Sequence, residues 1–100
     1  MIDFSRIVGF DWDGGNIYKS AAKHGVDLRE AEQVFLDRRL LVLADEDHSA
    51  DEKRFHAYGQ SAAGRLLLVS FTLRQGETMI RVVSARDMSR KERQRYAEET

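Results

Sequence analysis

One hundred residues, 42% hydrophobic and 33% charged, with neither cysteine nor proline, fit one globular domain with a modest core and not a disordered or disulfide-stapled chain. Cysteine-ligated zinc is excluded, and no apolar run approaches the roughly 18 residues of a membrane span, so no membrane contact and no signal peptide are expected and the location expected is cytoplasmic. Sixteen bases against 17 acids leave a net charge of −1, which by itself points to no polyanionic partner.

Arg6 to Trp12 is β-branched and aromatic and reads as a short strand, stopped by the turn residues Asp13-Gly14-Gly15. Asn16 to His24 carries Ile17, Ala21 and Ala22 at helical spacing, with Gly25 as its terminator. A second helix opens at Asp27, a capping residue with Glu30 three positions on, and Val26 is placed to staple onto Ala31. Leu28, Ala31, Val34 and Phe35 form its apolar stripe. The pattern then changes to strands at Leu40–Leu43, Arg54–Gln60, Arg65–Arg74 and Thr78–Ala85. An acidic loop, Asp45 to Glu52, follows the first of these and reads as solvated. The short turns between the later strands make them antiparallel neighbours, and Arg65–Arg74, apolar on both faces in its first half, is a central strand. Ser89 with Glu92 three residues on opens a last helix through Tyr96. The whole chain, residues 1–100, is therefore expected to be a single α+β domain: two N-terminal helices, an antiparallel meander of four to five strands, and a C-terminal helix.

The near-zero net charge conceals a split. Residues 27–52 hold nine acids against three bases, whereas residues 81–96 hold six bases against two acids. Such asymmetry suggests nucleic acid or an acidic partner. No metal-binding spacing relates His24, His48 and His56, and neither GxGxxG nor GxxxxGK[ST] occurs, so no cofactor is expected. No serine sits in a nucleophile-elbow context. Alternation puts Ile80 and Val82 on one side of their strand and Met79, Arg81 and Val83 on the other. Arg81 thus interrupts an apolar face, and must be paired with an acid such as Glu52 or face an open cleft. Arg54, His56 and Tyr58 share one face of the neighbouring meander, Arg65 starts the next strand, and Arg86 precedes the basic helix.

That set suits a phosphodiester, because the planar guanidinium fork binds two phosphate oxygens at once. Cleaving RNA without a metal requires a base for the 2′-hydroxyl, an acid for the leaving 5′-oxygen, and positive charge at the transition state. Glu52 or His56 is a candidate base; His56, His24 or Lys23 a candidate acid; Arg81, Arg65 and Arg54 supply charge. Tyr58 or Trp12 offers a ring on which a base can stack, although either aromatic also suits the core.

In order and spacing, residues 10 to 99 resemble the BrnT family, the toxin half of a bacterial type II toxin–antitoxin pair. The matching stretches are FDWD (Phe10–Asp13), KHGVDLREAEQVF (Lys23–Phe35), DHSADEKRFHAYGQSAAGRLLLV (Asp47–Val69), IRVVSAR (Ile80–Arg86) and SRKERQRYAEE (Ser89–Glu99). The resemblance implies a RelE-like fold, an endoribonuclease that inhibits translation, and a BrnA-like ribbon-helix-helix antitoxin that represses operator DNA as part of the complex. It also implies roles for Lys23 and His24 (KHG), Glu52 and Arg54 (E-x-R), Arg65 after the hairpin glycine, Arg81 and Arg86 (IR-x-x-SAR) and Tyr96. Asn16 and Ser20 depart from the family, where lysine and asparagine are frequent. The expected catalytic set is Glu52, Arg54, His56, Arg65 and Arg81; the expected RNA contacts are Lys23, His24, Tyr58, Arg86 and Tyr96. The competing classes are a non-catalytic partner- or DNA-binding module and a topoisomerase poison on the same fold.

Overall fold

A computed structural model of the chain describes residues 2–12, 24–48 and 52–100. Alternating burial builds the sheet. Strand β2 (Leu41–Ala44), β3 (Phe55–Gln60), β4 (Leu66–Arg74) and β5 (Met79–Asp87) form an antiparallel meander. A two-residue strand β1 (Gly9–Phe10) joins the far side of β5 in parallel, giving the order β1-β5-β4-β3-β2. The strand expected over Arg6–Trp12 is therefore shorter: Phe4–Arg6 is a 3₁₀ turn capped by Asp3, whose side chain accepts from the Ser5 N–H. A 3₁₀ turn at Glu46–His48, helix α1 (Leu28–Val34) and helix α2 (Arg90–Glu99) complete the described elements; the helix expected at Asn16–His24 lies outside the described residues except for His24. No helix among them is long and apolar enough to cross a membrane.

Each face of the sheet carries its own core. Ala57, Leu67, Val69, Phe71, Ile80, Val82 and Ala85 pack beneath Val26, Ala31 and Val34, with Phe35 edge-on to Phe71 at 5.1 Å. Asp27 caps α1 by accepting from the Glu30 N–H at 2.9 Å. α1 lies so close to β3 that a Cβ on Gly59 would stand 2.9 Å from Val34 Cγ1 and 3.0 Å from the Val34 carbonyl oxygen, so only glycine fits there. On the other face Tyr58, Leu68 and Met88 pack under Tyr96 of α2. The expected capping box opens this helix in full, with Ser89 Oγ accepting from the Glu92 N–H and Glu92 accepting from the Ser89 N–H.

One irregularity rearranges the faces. Ser70 opposes Ser84 but Phe71 opposes Val82, so Val83 is an extra residue in β5. A one-residue bulge reverses the alternation beyond it. Ala85 is thereby turned into the α1-side core at 1% exposure, and Ser84 and Arg86 join Arg81 on the opposite face.

Candidate active site

The α2 side of the sheet is apolar only at one end. Leu41, Tyr58 and Leu68 lie in one row beneath α2. Two residues along each strand the row becomes Leu43, His56, Ser70 and Ser84, and two further along β4, Thr72 pairs with Arg81. Arg54 stands two positions before His56, on the same alternation. Arg74 stands two beyond Thr72 and meets Glu52 at 3.0 Å. The result is a polar lane across three strands, positive along its middle, set into an otherwise apolar sheet.

The contacts within the lane are specific. His56 Nε2 is 3.2 Å from Asp45 Oδ2, and His56 Nδ1 is 3.0 Å from Ser70 Oγ. Arg81 Nη2 donates to Asp11 Oδ2 at 3.3 Å. Thr72 Oγ1 and the Nε atoms of Arg74 and Arg81 are buried without a hydrogen-bond partner among the described residues. Buried polar atoms are ordinarily paired, and those that are not mark places where a ligand or water completes the structure. Glu52 and Arg54 also border a cavity of about 550 Å³, whose apolar walls Ile2, Phe55 and Leu73 belong to the α1 side of the sheet and not to the lane.

Four of the sequence-derived candidates, Glu52, Arg54, His56 and Arg81, thus gather in one place. Arg65 does not join them. It binds both oxygens of Asp87 (2.6 and 2.8 Å), Glu30 (3.3 Å) and the carbonyls of His24 (2.9 Å) and Gly25 (2.8 Å). The Asp87 hydrogen bonds outweigh partial burial and raise the Arg65 pKa further, and they hold the Asp87 carboxyl low. Its expected role as a charge in the site therefore gives way to that of a clamp joining β4, β5, α1 and the chain before it.

The expected RNA contacts divide similarly. His24 is half-buried and engages Arg65 through its carbonyl, and Lys23 lies outside the described residues. Tyr58 is 6% exposed under α2, where burial raises its pKa. Tyr96 is 3% exposed and donates to Asp37 Oδ2 at 2.6 Å; burial first, then that hydrogen bond, push its pKa up to about 12. Neither ring offers a stacking face. Trp12 packs against the core and donates its indole N–H to Glu32 at 2.8 Å.

Arg86 is gripped by Glu92 through two bonds, 2.7 and 2.9 Å. The Arg86 hydrogen bonds, opposed by partial burial and aided by the Ser89 N–H, take the Glu92 pKa from 4.5 down to about 2. A carboxyl depressed in the folded state stabilises above its unfolded pKa and loses that contribution as pH falls through the folded value. The pair is half-exposed on the Arg86 side, so roughly 2 kcal/mol is expected from it at neutral pH. Urea midpoints should therefore fall between about pH 4.5 and 2, and Glu92→Gln should be less stable at pH 7 with a shallower fall across that window.

Asp45, Ser70, Thr72, Ser84, Arg74 and Asp11 belong to the lane, yet sequence reasoning passes over them as site residues. Ser70 and Thr72 carry a usable signal, two hydroxyls two apart in a strand otherwise built of Leu, Val and Phe. Asp45 carries none, since it reads as one acid of a solvated loop but is 7% exposed.

Residues 12–92 match the family described as ribonuclease toxin, BrnT, of type II toxin–antitoxin system. The fold is similar to the crystal structure of the Brucella abortus ribonuclease toxin BrnT, with a TM-score of 0.63 and 25% identity, covering 83% of this chain and 99% of that one. No curated protein matches the sequence.

Proposed function

Because the chain belongs to the BrnT family of ribonuclease toxins of type II toxin–antitoxin systems, we propose that it is an endoribonuclease whose active site is the polar lane. In this reading it inhibits translation by cutting RNA, and a cognate BrnA-like antitoxin neutralises it. The observation that carries the site assignment is the centre of the lane, where Arg81 Nε and Thr72 Oγ1 are buried polar atoms without a hydrogen-bond partner among the described residues. A phosphate group supplies what they lack, and Arg54 on the adjoining strand side adds positive charge.

Acid and base then fall on opposite sides of the phosphate, as an in-line displacement needs. Strand rise is about 3.3 Å per residue, so His56 lies roughly 6 to 7 Å along the strands from the Arg54–Thr72–Arg81 row. Glu52, beside Arg74, lies on the other side of that row. Glu52 takes the proton of the 2′-hydroxyl, whose oxygen attacks phosphorus; Arg54 and Arg81 stabilise the pentacoordinate charge. His56 is the source of the proton for the departing 5′-oxygen, leaving a 2′,3′-cyclic phosphate. Arg65 is a structural clamp in this scheme.

The test is direct. Purified protein, in EDTA, should cut naked RNA or ribosome-bound mRNA to ends bearing a cyclic phosphate. Expression in bacteria should arrest growth, relieved by the adjacent antitoxin gene. RNA left intact by folded protein overturns the proposal. Salt-dependent binding of duplex DNA without turnover would favour a binding module, and gyrase inhibition a topoisomerase poison.

A further inference from the structure

Asp45 directly follows β2 and turns inward, where it is 7% exposed. Its backbone N–H donates to the Arg54 carbonyl at 2.8 Å, which anchors it beside the start of β3. Its carboxylate is an acceptor only, so the His56 nitrogen that faces it, Nε2 at 3.2 Å, carries a proton. In the neutral imidazole Nδ1 is then the acceptor, and the hydroxyl 3.0 Å away on Ser70 donates to it. When the ring is charged the polarity reverses: Nδ1–H donates to Ser70 Oγ, and the Ser70 hydrogen turns toward the lane. Groups near the ring among the described residues include Arg54 and Tyr58 on β3, the Tyr58 ring centroid lying 6.5 Å away, Leu43 on β2, Thr72 on β4, and Ser84 and Arg81 on β5. Arg54 and Arg81 oppose a charge on the imidazole; the Asp45 carboxylate, in contact with it, favours that charge.

We propose that Asp45 is a positioning residue for RNA cleavage, fixing His56 with Nε2 protonated and Nδ1 on Ser70, so that the leaving 5′-oxygen receives its proton through the Ser70 hydroxyl. The inference rests on the ribonuclease reading above. The 2′-oxygen–phosphorus bond forms as Glu52 takes the 2′-hydroxyl proton, and the phosphorus–5′-oxygen bond breaks. The departing oxygen takes the Ser70 proton, and Ser70 recovers one from His56 Nδ1. Glu52 ends protonated and His56 neutral, and exchange with solvent restores both. Ser70 touches the substrate and is catalytic; Asp45 acts only through His56.

Two measurements test this. Nitrogen-15 NMR of the unsubstituted protein should find the neutral His56 ring protonated at Nε2; a ring protonated at Nδ1 overturns the proposal without any variant. In cleavage of a synthetic RNA oligonucleotide, Asp45→Asn should move the basic limb of the kcat–pH profile down by about one unit, leaving the acidic limb in place. KM should stay within about twofold, because Asp45 does not touch RNA. Ser70→Ala should lower kcat by about 100-fold and leave the His56 ring protonated at Nε2. A folded Asp45→Asn protein with an unmoved basic limb overturns the role of Asp45 while the ribonuclease reading stands. If Asp45→Asn does not fold, the native tautomer and the Ser70→Ala rate decide. An unsubstituted protein that cuts no RNA at any pH overturns the ribonuclease reading, and this role with it.

Discussion

Arg81→Ala is expected to slow RNA cleavage by about 100- to 1000-fold, the cost of removing one preorganised donor from a developing oxyanion, in a protein that still folds. The side chain is 28% exposed and its bond to Asp11 is a part-exposed ion pair, so the loss of stability should stay within about 1 kcal/mol. Arg81→Lys keeps the charge but not the fork, and should recover only part of the rate. Thr72 sharpens the test. Its hydroxyl is buried at 4% exposure with no partner among the described residues, so Thr72→Val should raise stability by up to about 1 kcal/mol while lowering cleavage by about tenfold. Stability rising as activity falls is the signature of a polar group kept for a ligand, and purely structural roles for Arg81 and Thr72 do not produce it. Single-turnover rates together with urea melts make the comparison; unchanged cleavage in both Arg81→Ala and Thr72→Val would remove the lane as the site.

Arg65→Ala should have the opposite profile, a loss of about 2 to 4 kcal/mol with cleavage per folded molecule nearly unchanged. The guanidinium makes five hydrogen bonds to four residues, and its removal leaves Glu30, Asp87 and two carbonyls to find water instead. Arg65→Lys should recover little, since one ammonium cannot grip Asp87 and reach the carbonyls of His24 and Gly25 together. Denaturant midpoints measured beside cleavage rates separate the outcomes. A folded, stable Arg65→Ala protein with cleavage down 100-fold would return Arg65 to the site.

Arg65 also shows why the site was only partly legible from sequence. The reasoning that selects guanidiniums near a meander finds Arg54, Arg65 and Arg81 alike, because spacing does not show which carboxylates lie across the fold. Tyr58, expected as a stacking ring, and Tyr96, expected as an RNA contact, are buried against each other where α2 covers the sheet, a long-range event that leaves no local mark. The four meander strands, the short turns between the later ones and both helix caps were legible because each depends on neighbours within a few residues. Asp27 and Ser89 cap their helices as their spacing requires. The parallel pairing of β1 with β5 was not legible, since the partners are about 70 residues apart.

Composition suggested two surfaces of opposite sign, and the tertiary structure pairs much of that charge instead. Glu30 meets Arg65, Asp45 meets His56 and Glu52 meets Arg74, each joining the acidic second quarter to the later strands. Asp27 caps a helix, Glu32 holds Trp12 and Asp37 holds Tyr96. The sequence by itself determined the class of fold, the meander, and which residue types were available for phosphodiester chemistry, because those follow from local period and side-chain chemistry. The tertiary structure decided which of them meet. Strict alternation along β5 sets Arg86 on the side opposite Arg81; the single extra residue at Val83 turns Ser84 and Arg86 to the Arg81 face and sends Ala85 into the core. A bulge is a property of the pairing between two strands, and neither strand's sequence alone contains it.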